Sequence, residues 1–450
     1  MRSDNASQSH YGYVAANRTI RRLAEVCVPN EGIQTGPFGS QLHSADYVEV
    51  GTPMITVEHL GENSIEGKNP PLVSADDVKR LSKYKLKEGD IVFSRVGSVD
   101  RRALVSANQD GWMFSGRLLR VRPEPKLVDP TYLSYFFGLP KFKTYIRSIA
   151  VGATMPSLNT GLLSDIPVIL PDMAEQVAIG RVLRSLDAKI RVNRALAKSL
   201  EDITQAIFRS WFIDFDPIKA KIAGEKPLGL DEKTAALFPD SMEESELGFI
   251  PRGWEAVPLT DMFEILSGGT PKTTNDDYWN GEIPWFSVID APNDGACFFI
   301  KTAKTITQAG LKNSAVNLVR PGVTVISARG TVGKIAIVAT PSTFNQSCYG
   351  VEGKYGDFFT YLLLRNQISR LQSISHGGMF DTITRDTFSS VFVPKPTVKL
   401  MSSFDSLVEP LFFEIRNLQF QNQKLTELRD ALLPRLISGE LQIPEEMLAS

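Results

Sequence analysis

Hydrophobic side chains follow a helical period over two long stretches of the chain. The first stretch runs from Glu175 to Phe212 and contains no proline or glycine after Arg181. Apolar side chains recur in it with heptad-like spacing, at Ile179, Leu183, Leu186, Ile190, Leu200 and Ile207. About 36 residues with a rise of about 1.5 Å each would make a rod of about 54 Å. The pattern therefore predicts one long helix with a single apolar seam.

The second stretch, from Met401 to Ile437, repeats the first. Its apolar seam comprises Phe404, Val408, Leu411, Ile415, Leu418, Leu425 and Leu432. Five residues of the first seam each have an apolar counterpart in the second seam at the same sequence separation. This separation, which relates Leu183 to Val408, is called the offset between the seams. Asn193 and Asn422 fall on core-type positions, where a buried asparagine fixes the register of paired helices. Two copies of the helix predict two copies of the region that precedes each helix.

The preceding regions have shorter patterns and repeat one another. Strands are predicted at Met54–Val57, Glu88–Ser94, Ala103–Val105, Arg117–Arg122 and Ile166–Leu170, and a helix, broken near Gly138–Pro140, at Pro130–Ile149. The segment Lys87–Ser94 returns later in the chain as Arg320–Ser327. Asp129–Phe136 returns as Asp357–Leu364. The chain is therefore predicted to be an internal duplication of class α+β, with mixed β structure and short helices in each globular region.

Six segments follow from these patterns. They are a frayed polar tail (1–17), a first globular region (18–171), a central long helix (172–215), a semi-extended linker with a short helix near Asp231–Leu237 (216–251), a second globular region (252–396), and a distal long helix with a tail (397–450). We expect the helices to pack antiparallel with pseudo-two-fold symmetry and a globular region at each end.

Composition narrows the class of protein without naming an activity. The chain has 450 residues, a hydrophobic share of 42 %, a charged share of 22 % and a net charge of −2, as in soluble globular proteins. Its three cysteines are scattered and odd in number, which argues against a disulfide framework or a zinc site. The N-terminus lacks the apolar segment of a secretory signal, and no apolar run is long enough for a membrane span. These features predict a cytoplasmic protein.

Motifs that suggest catalysis are incomplete. Asn69–Leu72 reads Asn-Pro-Pro-Leu and lacks the aromatic residue with which adenine methyltransferases stack a flipped base. Gly330–Ile335 lacks the spacing of a phosphate-binding loop. The four histidines (His10, His43, His59 and His376) show no metal-ligand or catalytic grouping. The sequence therefore predicts a protein without catalytic activity of its own, and with no cofactor or metal.

Basic and amide residues make DNA the expected ligand. Two related globular regions held on paired helices would be related by a two-fold axis. Duplex DNA has the same symmetry, so such a protein suits a target that is split into two half-sites. Arginine and lysine hold phosphates, and arginine, asparagine and glutamine read base edges. Arg95, Arg101, Arg102, Arg117, Arg120 and Arg122 form one basic cluster. Our candidate DNA contacts are Gln34, Ser40, Gln41, Arg95, Arg101, Lys272, Thr273, Arg329, Lys334, Asn345 and Gln346. The simpler alternatives are that the helices only clamp the chain and that single basic residues are solvated surface charges.

Several motifs, in their order and duplication, resemble the specificity subunit of type I restriction–modification systems over nearly the whole chain. These are Leu247–Leu259, Ser267–Lys272 with Ile283–Trp285, Ile326–Gly333 and Asn345–Ser347 in the second region, and the helix ends Ile207–Pro217 and Leu432–Leu441. The first region departs from the pattern. The second region has Gly-Gly-Thr-Pro within Ser267–Lys272, whereas the first region has the different sequence Gln34–Ser40 in its place.

The resemblance implies two target-recognition domains, each reading one half of a bipartite DNA sequence. It implies that the helical pair sets the spacer and docks two modification subunits, with Leu183, Leu186, Ile190, Leu200, Ile207, Val408, Leu411, Ile415, Leu425 and Leu432 as docking positions. S-adenosylmethionine, ATP and Mg would belong to those methyltransferase subunits and to an ATP-dependent restriction subunit. Two alternatives stay open: a self-contained methyltransferase or nuclease fused to a DNA reader, and a scaffold without a DNA role.

Overall fold

The computed structural model describes residues 7–37, 41–67, 69–292, 296–375 and 382–448. The chain folds into two compact units. Unit 1 comprises Met1–Ala188 and Leu425–Ser450, and unit 2 comprises Lys189–Lys424. The division between the units passes through both long helices, so each unit contains one globular region and a segment of each helix.

Unit 1 is built from short strands in separate small sheets. Its strands are β1 (Ser7–Ser9), β2 (Gly12–Val14), β3 (Thr19–Arg22), β4 (Ile33–Thr35), β5 (Tyr47–Val48), β6 (Thr52–Ile55), β7 (Leu72–Val73), β8 (Ile91–Ser94), β9 (Arg102–Leu104), β10 (Met113–Phe114), β11 (Leu118–Val121) and β12 (Pro167–Leu170). The central sheet has the order β4-β11-β8-β9, and a second sheet has the order β10-β6-β7-β5. Strand β12 pairs with β3, and β1 pairs with β2.

Unit 2 repeats this sheet topology. Its strands are β13 (Met242–Ser245), β14 (Gly248–Pro251), β15 (Glu255–Pro258), β16 (Phe263–Ser267), β17 (Trp279–Phe286), β18 (Phe298–Phe299), β19 (Lys304–Ile306), β20 (Thr324–Ser327), β21 (Ile335–Val338), β22 (Thr343–Phe344), β23 (Cys348–Gly353) and β24 (Phe392–Lys395). The order β16-β23-β20-β21 matches the central sheet of unit 1, and β18 extends it. The other sheets are β19-β17-β22, β15-β24 and β13-β14. The predicted duplication is therefore confirmed.

Several helices begin where a side chain caps the first turn. The helices are α1 (Ala75–Arg80), α2 (Pro130–Phe136), α3 (Pro140–Ile149), α4 (Thr160–Ser164), α5 (Met173–Phe212), α6 (Asp216–Ile222), α7 (Glu232–Ala236), α8 (Gln308–Lys312), α9 (Asp357–Ser375), α10 (Arg385–Ser389), α11 (Val398–Ser438) and α12 (Glu445–Leu448). The carboxylate of Asp129 accepts the Tyr132 amide, and Asp172 accepts the Glu175 amide at the start of α5. Pro140 separates α2 from α3, as predicted.

The long helices α5 and α11 run antiparallel. Within unit 2, Asn193 on α5 donates to Gln421 on α11 at 3.3 Å, and Phe208 on α5 contacts Phe404 on α11 with ring centroids 5.7 Å apart. Pairing an earlier residue of one helix with a later residue of the other requires antiparallel axes. Asn193 is buried, as its core-type position predicts.

Two predictions about chain segments are wrong. The linker is not semi-extended: it contains α6, α7, β13 and β14, and Ile218, Phe238 and Ile250 are buried in the core of unit 2. The predicted short helix lies within it as α7. The N-terminal tail is not frayed over residues 7–17, because Tyr11 and Val14 are buried there. The first six residues of the predicted tail lie outside the described residues.

The N-terminus of α9 supports a prediction about pH. Asp405 on α11 accepts the backbone amides of Phe358 and Phe359 at 3.0 and 2.8 Å. Burial raises the pKa of Asp405 from its usual 3.8 to about 6. The folded protein therefore holds this proton more tightly than the unfolded chain, and the resulting stability is present below about pH 4 and is lost as the pH rises through about 6.

We expect Asp405→Asn to remove this dependence, which corresponds to about 2–3 kcal/mol between pH 4 and pH 7. Thermal unfolding of both proteins across that range provides the measurement. The wild-type melting temperature should fall relative to that of the variant as the pH rises. Parallel curves would show that Asp405 does not titrate in this window.

Candidate DNA-recognition loops

Three loops of unit 2 meet at one edge of its sheets. They are residues 267–272, 328–334 and 345–347, and we call them the unit 2 loops. The Gly269 amide donates to the Phe344 carbonyl at 3.0 Å, and the Thr270 hydroxyl donates to the Gln346 side chain. The Ala328 amide donates to the Ser347 carbonyl at 2.8 Å. Three of the motifs that carry the family resemblance, Ser267–Lys272, Ile326–Gly333 and Asn345–Ser347, are thus brought together.

Glycine is required where the first of these loops passes the third. A Cβ atom on Gly268 would lie 2.0 Å from the backbone oxygen of Asn345 and 2.6 Å from Cδ2 of Phe344. Real Cβ atoms do not approach a carbonyl so closely, so only glycine allows this crossing. Gly330, in the second loop, has a φ of 76°, which also favours glycine.

Two tryptophans hold the first loop from behind. The Trp285 indole donates to the Gly269 carbonyl at 2.9 Å, and the Trp279 indole donates to the Lys272 carbonyl at 3.3 Å. The two indole rings meet edge to face, with centroids 5.1 Å apart. The Lys304 ammonium lies 5.7 Å from the centre of the Trp279 ring. Hydrogen bonds from the two indoles therefore hold the backbone of the first loop in place.

The predicted contacts of unit 2 lie on these loops or beside them. Lys272, Thr273, Arg329, Lys334 and Gln346 are exposed. Asn345 is half-buried, and its side-chain oxygen accepts the Ser347 amide at 3.1 Å, so it shapes the turn. This surface carries three cations together with hydroxyl and amide groups, the combination that suits phosphates and base edges.

Unit 1 contains the same arrangement of loops. Residues 34–37, 95–101 and 115–117 form the unit 1 loops. A Cβ atom on Gly36 would lie 2.2 Å from the Ser115 backbone oxygen. The same collision would occur between a Cβ atom on Gly268 and the Asn345 backbone oxygen. The Arg95 amide donates to the Arg117 carbonyl at 2.8 Å, which reproduces the bond between Ala328 and Ser347.

A cavity of about 730 Å³ opens on the unit 1 loops. It is lined by Pro37, Leu42, His43, Ser44, Tyr47, Thr56, Glu58, His59, Asn69, Pro71, Arg95, Ser115, Gly116 and Arg117. Arg95 is half-buried and Arg117 is exposed. Across the described parts of the chain, no cluster of histidine, cysteine and acidic side chains could hold a metal ion. The lining of the cavity suits recognition of a polar ligand.

The other predicted contacts of unit 1 differ in their placement. Gln34 is half-buried in β4, where it pairs with Arg120. The Gln41 side-chain oxygen accepts the Tyr84 hydroxyl at 2.9 Å, so the acceptor of this amide is already engaged within the protein. Arg101 is exposed, although its guanidinium donates to the Leu60 carbonyl. Ser40 lies outside the described residues.

Three arginines of the predicted basic cluster are structural, which corrects that part of the prediction. Arg102 is buried and donates to the Ser134 carbonyl at 2.7 Å, and burial lowers its pKa to about 10. Burial likewise lowers the pKa of Arg120 to about 10, and its guanidinium donates to backbone carbonyls. Arg122 forms a two-pronged ion pair with Asp90 at 2.8 Å. Buried guanidiniums with partners inside the protein cannot reach a phosphate.

The apolar seam of the long helices also needs a correction. Leu183, Ile190, Val408 and Ile415 are buried within this chain, so they hold α5 and α11 in place and cannot touch a partner. The remaining docking candidates (Leu186, Leu200, Ile207, Leu411, Leu425 and Leu432) are partly buried. Exposed apolar side chains also occur on these helices, as at Ile203 and Leu428, each 48 % exposed. These two residues are related by the same offset as the two seams and thus occupy equivalent positions of the repeat.

The candidate DNA contacts predicted from the sequence do not include Ser115, Arg117 and Thr270, although Arg117 belongs to the predicted basic cluster. The signal was present, because Phe114-Ser-Gly-Arg117 in the first region corresponds to Phe344-Asn-Gln-Ser347 in the second. Aligning these two segments identifies the third loop in unit 1.

Comparison with known proteins agrees with the geometry. A family model described as the type I restriction modification DNA specificity domain matches residues 20–202 and 251–404. The chain is 27 % identical over 411 residues to the type I restriction enzyme HindI specificity subunit of Haemophilus influenzae, covering 81 % of this chain and 89 % of that protein. It is 27 % identical over 333 residues to the MjaIX specificity subunit of Methanocaldococcus jannaschii, covering 71 % and 70 %.

A solved structure shares the fold. The crystal structure of the type I restriction–modification S subunit from M. genitalium aligns with a TM-score of 0.57 over 97 % of each chain, at 14 % sequence identity. The repeated loops, the two long helices and the family match over both globular regions lead to one conclusion. The chain belongs to the type I restriction–modification DNA specificity family.

Proposed function

We propose that this chain is the DNA-binding specificity subunit of a type I restriction–modification complex. Each globular region reads one half of a bipartite target, and the paired helices set the spacer between the halves. The observation that carries the proposal is the repeated loop arrangement. Gly36 and Gly268 make the same close crossing, and Arg95 and Ala328 make the same backbone bond. Two globular regions with the same loop arrangement suit two half-sites on one DNA duplex.

The roles of the side chains follow from their chemistry. Lys272, Arg329 and Lys334 supply positive charge on the surface of unit 2 and hold phosphates, which positions the DNA. Gln346 and Thr273 expose groups that can donate and accept, as the reading of base edges requires. In unit 1, Arg95 and Arg117 occupy the corresponding place beside the cavity.

The partners follow from the relatives, which are named as specificity subunits of type I restriction enzymes. The complex would add two modification subunits that methylate adenine and an ATP-dependent restriction subunit, and this chain would be non-catalytic. S-adenosylmethionine, ATP and Mg belong to those partners. Exposed apolar side chains on the long helices, such as Ile203 and Leu428, give the modification subunits a docking surface.

The complex would act on DNA in the cytoplasm. In the described segments, no helix is long and apolar enough to cross a membrane.

Salt titration of DNA binding tests the phosphate contacts. We expect each of Lys272→Ala, Arg329→Ala and Lys334→Ala to weaken binding and to reduce the slope of log affinity against log salt by about 1. The affinity would be measured by fluorescence anisotropy on duplex DNA carrying the target, after methylation sequencing of the source genome has identified it.

Lys354→Ala is a matched control, because that lysine lies on the second unit near the Asp261 carbonyl, away from the loops. An unchanged salt slope in all three loop variants would contradict the proposed phosphate contacts. The alternative of a self-contained methyltransferase has its own test. Binding of labelled S-adenosylmethionine by the purified chain alone would favour that alternative.

A further inference from the structure

A buried ion pair joins the two long helices in unit 1. Arg429 on α11 donates to Asp187 on α5 at 2.7 Å, and each residue is 8 % exposed. The Tyr135 hydroxyl on α2 donates to the other oxygen of the same carboxylate. Asp187 therefore has both carboxylate oxygens bonded, one of them to a cation from the other helix.

A second ion pair, between a buried acid and a half-buried arginine, anchors α5 in unit 2. The carboxylate of Glu201, which is 2 % exposed, accepts the Arg365 guanidinium and the Tyr361 hydroxyl from α9. The Tyr361 bond is 2.9 Å long. In both units, then, the acid is on α5 in the N-terminal half of the sequence. The arginine comes from the C-terminal half.

The first pair has no counterpart in the repeat. The offset that relates the two apolar seams places Phe412 at the position of Asp187, and Thr204 at the position of Arg429. Phe412 stacks on Phe358 with ring centroids 4.4 Å apart. Thr204 is buried, and its hydroxyl donates to a carbonyl of its own helix at 2.8 Å. Apolar and neutral groups therefore occupy the places that correspond to the ion pair.

The second pair has no counterpart either. The offset between the seams places Thr426 at the position of Glu201. Arg365 corresponds to Phe137 when α9 is aligned with α2 through their repeated starting segments. Phe137 is buried among aromatic side chains. At these two contacts, the duplication has thus diverged, with the acid in the N-terminal half and the arginine in the C-terminal half.

We propose that these two ion pairs make the N-terminal and C-terminal halves specific for each other and prevent either half from pairing with its own copy. A duplicated architecture would otherwise allow α5 of one chain to pair with α5 of another, because the apolar seams are alike. The surface that α5 presents to α11 and α9 accepts a partner that carries the two arginines.

The physical basis is the cost of an uncompensated buried charge. Two N-terminal halves paired symmetrically would bury Asp187 and Glu201 twice, opposite Thr204 and Phe137, without a cation. Two C-terminal halves would deprive Arg365 and Arg429 of these two acids and leave Arg429 only its helix neighbour Asp430, which bonds it at 2.8 Å. Removing one partner of a buried ion pair is strongly destabilising, whereas replacing both partners by apolar groups is often neutral. Only the mixed pairing gives both buried acids, Asp187 and Glu201, an arginine partner.

The test uses the folded full chain, cut once between its halves. The segment between α6 and α7 is exposed, with Leu228 at 100 % exposure, so a protease site placed there would nick the folded protein. Nicked chains with differently tagged N-terminal halves are mixed, unfolded in urea and refolded together. Capture on one tag then shows which fragments have paired.

We expect each captured N-terminal half to carry a C-terminal half, with pairs of N-terminal halves at least about 100-fold rarer. Comparable amounts of the two species would overturn the proposal. The double variant Asp187→Phe with Glu201→Thr, which copies the residues of the distal helix, should raise pairing of N-terminal halves at least about tenfold. No rise would also count against the proposal. Asp202→Asn, an exposed acid on the same helix, is the matched control and should change nothing.

A second measurement on the uncut chain does not depend on refolding of fragments. Asp187→Arg should lower the urea midpoint, and adding Arg429→Asp should recover at least half of that loss. No recovery would show that the two side chains are not coupled and would overturn the proposal. DNA binding of the double exchange variant provides a check that both units are folded.

Discussion

Arg18→Met should lower the free energy of unfolding of unit 1 by about 3–5 kcal/mol. The Arg18 guanidinium forms two bonds of 2.6 Å with the carboxylate of Glu175, and its side chain is fully buried. It also reaches the Leu436 carbonyl on α11 at 3.3 Å. Methionine would fill the space but leave the carboxylate buried without a cation. Urea unfolding followed by intrinsic fluorescence provides the measurement.

The repeat suggests how to rescue this variant. Leu400, which corresponds to Glu175 by the offset between the two seams, is buried. We therefore expect Arg18→Met with Glu175→Leu to recover most of the stability, since an apolar pair removes the uncompensated charge. Lys198→Met, at an exposed ion pair on the same helix, is the control and should cost less than about 1 kcal/mol. A loss in Arg18→Met no larger than in the control would rule out this account.

Gly268→Ala should weaken DNA binding by about 10–100-fold with little change in the rest of the fold. The new methyl group would lie 2.0 Å from the Asn345 oxygen, so the first and third unit 2 loops would have to separate. That movement displaces Gln346, which bonds Thr270 across the crossing. Discrimination should be lost at one half-site and kept at the other, because unit 1 retains its own loops.

Fluorescence anisotropy on duplexes with one altered half-site at a time measures this effect. Gly253→Ala is the matched control in the same unit. Gly253 has a φ of 79° and no atom near its added Cβ, so this control adds backbone strain, which Gly268→Ala does not, but no collision. If Gly268→Ala bound DNA like the wild type, the loop crossing would not position the contacts.

The long elements and the duplication could be predicted from the sequence because they depend on periodicity. The periodic stretch that begins at Glu175 lies two residues inside α5, and the segment boundary predicted at residue 172 falls on the cap Asp172. The sheet cores were found through short apolar runs such as Ile91–Ser94. The repeat then extended each assignment from one unit to the other.

The recognition surface was only partly predictable, because charge in a sequence does not reveal burial. Arg101 and Arg102 are neighbours, yet the first is exposed and the second is buried against the Ser134 carbonyl. Arg101 belongs to an exposed loop, whereas Arg102 is the first residue of the buried strand β9, so the two arginines have different surroundings. The linker was misjudged for a related reason. Its prolines and glycines suggested an extended chain, but Ile218 and Phe238 bury enough apolar surface to order it.

The loop crossings are held mainly by main-chain atoms. The Gly269 amide bonds the Phe344 carbonyl, and the Ala328 amide bonds the Ser347 carbonyl. Such bonds persist whatever side chain the residue carries. Exposed positions such as Arg329 and Gln346 can therefore mutate at low folding cost, and a lineage can acquire a new target site by a few substitutions while its scaffold stays intact.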